Sequence, residues 1–337
     1  MTRPFIVAEL SASHGGMLER ALQIVEAAAS AGADAVKIQT WDTMVLDDSY
    51  VIEAGPWAGR RLVDLYAEAK TPWVWHEPIF RRCKELGMIG FSTPFDRASL
   101  EFLEALHCPI YKVASFEITD LELIRAIAAT GKPVIISTGM ASAEEIQDAC
   151  NAACDDGGCV DLTLLKCTSA YPATAEDAHL RTMEGLMTFP RATAFGLSDH
   201  TPGIGVAVAA AVLGAAVIEK HLTLRRSDGG PDAAFSMEPE EFRQLVTECR
   251  RAEAALGVRQ YYGPRASEMA QYALRRSLYV AKDIKAGEPI TKLNVRTARP
   301  GKGLPPRLLP ELLGRAVVRD VSRETPLTMD LIEKGIP

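Results

Sequence analysis

No stretch of this 337-residue chain approaches the roughly 18–20 uncharged apolar residues that a membrane-spanning helix needs. The nearest run, Gly203–Ile218, is shorter, rich in Ala, Gly and Val, and bracketed by His200 and Glu219. No membrane partner is expected. Positive charge is in deficit: 37 Lys and Arg stand against 44 Asp and Glu, a net charge of −7, which argues against a nucleic-acid partner. Cysteine is sparse and odd in number, seven in all, so a disulfide framework is not expected. Cys150, Cys154 and Cys159 cluster without zinc-knuckle spacing or a nearby histidine and read as reduced thiols. The opening Met1-Thr2-Arg3-Pro4 runs into an apolar segment containing Glu9, unlike a secretory leader, so the expected compartment is the cytoplasm. GxSxG, P-loop, HExxH and SxxK motifs are all missing, which removes the commonest nucleophile and nucleotide chemistries.

What remains is an ordinary globular composition, 47% hydrophobic and 24% charged, long enough for about two domains. Eight apolar runs of strand length recur: Phe5–Glu9, Ala35–Gln39, Met88–Ser92, Ile110–Ala114, Val134–Ser137, Leu162–Lys166, Ala194–Leu197 and Val217–Lys220. They lack polar alternation, as strands covered on both faces do. Helical patterns lie between them. Leu18–Ala31 stops at Gly32, Phe80–Leu86 at Gly87, Leu121–Thr130 at Gly131 and Pro239–Leu256 at Gly257, while Ser142 and Glu145 form a capping box. Eight such units within the first 257 residues predict a (β/α)8 barrel. A doubly wound sheet would want GxGxxG after the first strand, and Leu10–Gly16 does not supply it. Trp41–Pro72 is too long for a plain loop and predicts an insert or lid at the active-site end.

Past Gly257 the texture changes. Residues 258–274 read as a linker, and 275–337 as a small β-rich domain with runs at Ser277–Ala281, Val295–Thr297 and Ala316–Val321. From Gly257 onward 15 Lys and Arg face 8 Asp and Glu, leaving an acidic body and a basic tail suited to an anionic ligand.

Chemistry in a (β/α)8 barrel gathers at the C-terminal strand ends. Those ends carry Glu9, Lys37 and Gln39, Thr93, Lys112 with Ser115 and Glu117, Lys166 leading to Tyr171, Ser198 with His200, and Glu219-Lys220-His221. Lys37, Lys112, Lys166 and Lys220 could bring four ammonium groups to one mouth, a setting for a phosphorylated or carboxylated substrate; pairing with barrel acids such as Glu219 is the alternative. His200 and His221 close adjacent strands and either share a divalent ion, open to water or substrate, or act separately. Glu9 and Glu117 are acid–base candidates, against a salt bridge for the first and a solvated loop position for the second. His14 either meets substrate or caps the first helix.

Several stretches together resemble the sialic acid synthase family: Glu9–His14, Lys37–Thr40, Ser92–Phe95, Tyr111–Glu117, Ser137–Met140, Gly196–His200 and Ile218–His221. Ser277–Tyr279, Asp283–Gly287 and Arg299–Gly303 are similar to that family's antifreeze-like (SAF) domain. Ser13 departs from the pattern, standing where the family usually has Asn. The resemblance implies a (β/α)8 barrel followed by a SAF domain. It implies condensation of phosphoenolpyruvate with an N-acylated amino sugar and release of phosphate. Ala69–Pro72 with Trp75-His76, and Leu165–Ser169 with Tyr171-Pro172, resemble the branch whose acceptor is 2,4-diacetamido-2,4,6-trideoxy-L-altrose; production of N-acetylneuraminate or legionaminate is the alternative within the family. The same resemblance implies a divalent metal, Mn2+ with Mg2+ or Co2+ as alternatives, on His200 and His221. It assigns Lys37, Thr93, Lys112, Ser115, Tyr171 and Ser198 to phosphoenolpyruvate, and Glu9, Gln39, Asp232 and Arg299 to the sugar. Glu117, Glu9 and Lys112 become the catalytic candidates, in a domain-swapped homodimer. Another metal-dependent barrel aldolase, or a non-catalytic sugar binder using the tail, are the rival readings.

Overall fold

Runs of Val, Ile, Leu and Phe without polar alternation need cover on both faces, and a closed parallel sheet wrapped by helices provides it. In the computed structural model, which describes residues 3–42, 46–154, 161–189, 191–261 and 263–333, all eight expected runs form strands. They are β1 (Phe5–Glu9), β2 (Ala35–Thr40), β3 (Ile89–Pro94), β4 (Tyr111–Val113), β5 (Val134–Ser137), β6 (Leu162–Cys167), β7 (Ala192–Asp199) and β8 (Val217–His221). Each pairs in parallel with its chain neighbour, and β1 closes on β8 with Glu9 opposite both Lys37 and His221. The (β/α)8 barrel read from the sequence is therefore present.

Helices α1 (Leu18–Ala31), α2 (Leu62–Ala69), α3 (His76–Glu85), α4 (Arg97–Ala105), α5 (Leu121–Ala128), α6 (Ala143–Cys154), α7 (Thr182–Leu186), α8 (Gly205–Val212) and α9 (Pro239–Leu256) alternate with the strands. Their apolar faces pack on the outside of the barrel: α1 buries Ala21, Ile24, Val25 and Ala28 beside Phe242, Leu245 and Cys249 of α9. The predicted capping box forms at α6: Ser142 Oγ accepts from the Glu145 amide and the Ser142 amide donates to the Glu145 carboxylate. One boundary differs. The helix expected from Phe80 starts at His76, because Pro78 sits in the first turn, where its missing N–H costs nothing.

Among the described residues no helix is long and apolar enough to cross a membrane. Cys83, Cys108, Cys150, Cys167 and Cys249 are buried thiols, and Cys159 lies outside the described residues.

The chain divides into two compact units, Met1–Gly257 and Val258–Pro337. The second has its own core of Leu278, Val280, Ile284, Ile290, Val295, Leu312, Val317 and Leu327 around an antiparallel pair, β9 (Ser277–Val280) and β10 (Val295–Ala298). The run Ala316–Val321, expected as a strand, makes only isolated bridges, to Pro289, Ile332 and Ile284. Helical turns occupy Ala266–Glu268 and Met269–Tyr272. Gly303 is required here by contact: a Cβ would lie 2.2 Å from the Leu278 carbonyl oxygen.

Candidate active site

Strand alternation decides which predicted groups meet. Glu9, Lys37, Ser198, Glu219 and His221 fall on the inner face at the C-terminal end of the barrel. Lys37 forms an ion pair with Glu9 and lies 3.8 Å from Glu219, while Lys112 lies 3.9 Å from the other Glu219 oxygen. All four side chains are buried. Lys112 also donates to Ser137 Oγ at 2.7 Å, Lys37 to Thr93 Oγ1 at 3.4 Å, and Ser198 Oγ to Glu219 at 3.1 Å. Gln39 reaches Glu9 at 3.5 Å.

The other two lysines are elsewhere. Lys220, between inward Glu219 and His221, faces out of the barrel, where it pairs with Asp199 at 2.7 Å and donates to the Thr201 carbonyl. Lys166 Nζ donates to the Cys167 carbonyl at 2.9 Å and to Thr168 Oγ1. Two cations rather than four therefore share the floor, because residues at odd and even strand positions point to opposite sides.

Burial works against every charge on this floor. It pushes the Glu9 carboxyl up to about 7, although Lys37 opposes the rise. Burial likewise lowers Lys112. For Lys37 and Glu219 the partner charges overcome the burial penalty, so Lys37 is raised and Glu219 lowered. Glu117 follows β4 in a short helical turn at Ser115–Glu117. Its buried Oε2 has no hydrogen-bond partner among the described residues, and burial pushes its carboxyl up to about 7. Glu117 is thus not the solvated loop residue that the sequence offered as the alternative to an acid–base role. It is a sequestered carboxyl that titrates near neutrality.

The sign of that effect on stability follows directly. Folded Glu117 holds its proton above the ordinary 4.5, so the folded chain binds more protons than the unfolded one between about pH 4.5 and 7. Stability linked to this group is present below that window and is lost as pH rises through it. Glu117→Gln should therefore gain urea resistance relative to the unsubstituted chain between pH 5 and 8. A stability difference constant over that range would remove the buried proton.

His200 and His221 end adjacent strands with ring centroids 5.3 Å apart. His200 Nδ1 donates to the Thr168 carbonyl at 2.9 Å, which directs its Nε2 away from the backbone. His221 Nδ1 is buried without a hydrogen-bond partner among the described residues, 3.9 Å from Asp232. Among the described residues no three His, Cys, Asp or Glu side chains converge on one point. The histidine pair thus suits an open site, in which water or substrate supplies the remaining ligands of a divalent ion.

Loops complete the mouth. Asp232 accepts from the Ala12 amide at 3.2 Å. Arg20, which sequence reading missed, donates to the Ser13 carbonyl at 2.8 Å, to Thr223 at 3.3 Å and to Asp228 at 2.6 Å, joining the segments after β1 and β8. His14 accepts from the Gly16 amide at 3.0 Å, which leaves Nε2–H to donate to the Ala69 carbonyl at 3.3 Å. It ties the first loop to the end of α2 rather than capping α1. Ser115 Oγ accepts from the Gly139 amide at 3.1 Å; a Cβ at Gly139 would fall 2.7 Å from that oxygen and 2.3 Å from Ser169 Oγ, so only glycine fits. The Tyr171 ring lies tilted against His200, with centroids 4.3 Å apart. Arg299 is exposed and follows β10 in the second unit.

The Trp41–Pro72 insert, of which residues 43–45 are outside the described set, contributes α2 and a bridge between Val51 and Arg61. Its Trp57 packs 5.2 Å from Tyr171 and donates to the Pro231 carbonyl at 2.8 Å. A cavity of about 540 Å³ lies between insert and barrel, reaching Gln39, Tyr171, His221 and Asp232.

Comparison with known proteins agrees with this geometry. The NeuB family profile matches residues 24–261, and the SAF domain profile residues 275–333. Pseudaminic acid synthase of Helicobacter pylori is 41% identical, over 99% of each chain. Pseudaminic acid synthase of Campylobacter jejuni is 42% identical over 94% of this chain and 93% of its own. The crystal structure of N-acetylneuraminic acid (sialic acid) synthetase from Leptospira borgpetersenii, in complex with citrate, superposes with a TM-score of 0.68 at 34% identity, covering 80% of this chain and 90% of its own.

Proposed function

The chain belongs to the NeuB family, and from that membership we propose that it is a pseudaminic acid synthase. It condenses phosphoenolpyruvate with 2,4-diacetamido-2,4,6-trideoxy-L-altrose and releases phosphate. The observation that carries this reading is the convergence at one barrel mouth of two buried lysines, a sequestered carboxyl and a histidine pair.

Phosphoenolpyruvate is a compact polyanion, and Lys37 and Lys112 are the buried cations able to neutralise it. Thr93, Ser115, Tyr171 and Ser198 offer hydroxyls around the same floor. Glu9, Gln39 and Asp232 orient the sugar. Carbon C3 of phosphoenolpyruvate bonds to the C1 aldehyde of the open-chain sugar, water adds at C2, and the C2–O bond to phosphate breaks. Glu117, with a carboxyl balanced near neutrality, either protonates the new alkoxide or takes a proton from the attacking water.

His200 and His221 are the residues that would hold a divalent ion, Mn2+ in our reading. When bound, such an ion supplies Lewis-acid polarisation of a carbonyl oxygen. We further propose a cytoplasmic homodimer in which the second unit of one subunit, with Arg299, completes the barrel of the other; exposed Tyr261, Met269, Tyr272 and Leu274 in that unit support a covered face.

The test is phosphate release from phosphoenolpyruvate with a panel of amino sugars, before and after EDTA. We expect release with the altrose derivative, abolished by EDTA and restored by Mn2+. Release with N-acetylmannosamine alone would keep the chemistry and discard the acceptor. Release unaffected by EDTA would discard the metal.

A further inference from the structure

The barrel mouth is chemically divided. Its floor concentrates Glu9, Lys37, Lys112 and Glu219 in a charged, buried group. The cavity above it has a different character. Among the described residues that line it there is no lysine or arginine, and Asp232 is its one carboxylate. The side contributed by the insert is apolar, built from Ile52, Trp57, Leu62 and Leu65 with the Tyr66 ring. Phe95 and Phe116 continue that surface from the barrel loops.

Trp57 fixes this wall against the catalytic side. Its indole N–H donates to the Pro231 carbonyl at 2.8 Å, next to Asp232. Its ring lies 5.2 Å from Tyr171 and 6.1 Å from Phe235. Those two rings in turn lie 4.3 Å from His200 and 5.0 Å from His221. A continuous aromatic path thus runs from the insert to the histidine pair. These ring contacts and the Trp57 hydrogen bond hold the wall against the catalytic side of the cavity.

A phosphate held against the insert side of this cavity would lose its water and meet no lysine or arginine among the described lining residues. A hydroxyl placed against Leu62 or Ile52 would lose its hydrogen bonds to solvent without replacement. A methyl group there would instead leave water for an apolar surface. The reacting end of a sugar must face the floor, so its far carbons face the insert.

Resting on the synthase reading above, we propose that the insert wall, pinned by Trp57, is the acceptor-selecting element. It favours an uncharged amino sugar whose distal positions carry acyl or deoxy groups, over phosphorylated or fully hydroxylated sugars. The floor lysines Lys37 and Lys112 are left to phosphoenolpyruvate, so the cations that neutralise that substrate and the wall that selects the acceptor are separate groups.

The experiment compares steady-state kinetics of the unsubstituted enzyme, Trp57→Ala and Leu62→Asn. The acceptors are the trideoxy altrose derivative, N-acetylmannosamine and N-acetylmannosamine 6-phosphate. We expect each substitution to raise KM for the trideoxy sugar by roughly 10–100-fold, the range for an altered apolar contact. The preference for it over N-acetylmannosamine should shrink by about the same factor, and KM for phosphoenolpyruvate should stay within about twofold. Leu62→Asn, at a half-buried position on α2, keeps the test decisive should Trp57→Ala fail to fold. Equal losses on both unphosphorylated sugars, or a rise confined to phosphoenolpyruvate, would overturn the assignment of selectivity to this wall while leaving the synthase reading intact. Turnover of no acceptor by the unsubstituted enzyme would overturn the synthase reading itself and, with it, this proposal.

Discussion

Glu117→Gln is expected to lower kcat by roughly 10²–10⁴-fold, the usual worth of a positioned general acid or base. The substitution keeps the shape of the side chain and removes its proton-transfer capacity. Glu117 is suited to the task by its surroundings. Burial raises its carboxyl to about 7, while Lys112 and Lys37 restrain the rise. Its Oε2 makes no hydrogen bond among the described residues, so no structural contact consumes it. KM for phosphoenolpyruvate should change little, since the lysines that neutralise that substrate are untouched. A pH–rate profile should lose its limb near neutrality. The combination separates catalysis from folding, because the same substitution is expected to increase stability at pH 8. A near-normal kcat would move the proton transfer to another group, with Glu9 the next candidate.

Lys37→Met should produce the second large effect, and it should strike stability as well as activity. Lys37 lies between two buried carboxylates, paired with Glu9 and 3.8 Å from Glu219. Removing one partner of a buried ion pair leaves uncompensated charge in a low-dielectric interior and costs about 3–5 kcal/mol. Lys112 lies 3.9 Å from Glu219 and acts on Glu9 only weakly beside Lys37, so it replaces that ion pair in part at most. The remaining carboxylates will respond by taking up protons, so the loss should be smaller at pH 5 than at pH 8. Urea denaturation at the two pH values reads this directly. Binding of phosphoenolpyruvate should weaken at both, because a cation facing the polyanion has gone. A loss of stability independent of pH would show that Met fails by packing rather than by unpairing the acids.

The (β/α)8 fold could be read from the chain because its signals are local. Eight Val/Ile/Leu-rich runs, each followed by a 3.6-residue pattern and a glycine stop, leave little freedom of architecture once both faces of every strand must be covered. Strand ends then named most of the polar groups of the mouth, since a parallel barrel aligns all its C-terminal ends on one face. The basic tail was visible as a charge count, and its separate core as a change in texture after Gly257.

Local pattern stops where the third dimension begins. All four lysines look alike in sequence, but Lys37 and Lys112 point inward while Lys220, one residue from His221, pairs with Asp199 outside the barrel. Inward or outward depends on where each strand begins in the closed register, which no short window contains. The insert was recognisable as too long a loop, yet nothing in its sequence says that Trp57 reaches Pro231 and Tyr171. Arg20 likewise joins segments about 200 residues apart. Nor does a sequence reveal that Glu117 Oε2 is left buried without a hydrogen-bond partner among the described residues, because burial is a property of what surrounds a group. The chain's own pattern therefore decided the barrel and the roster of chemistry at its mouth. Packing alone decided which of those groups meet, which are neutralised and which remain poised to react, because distance, register and dielectric exist only once the barrel has closed.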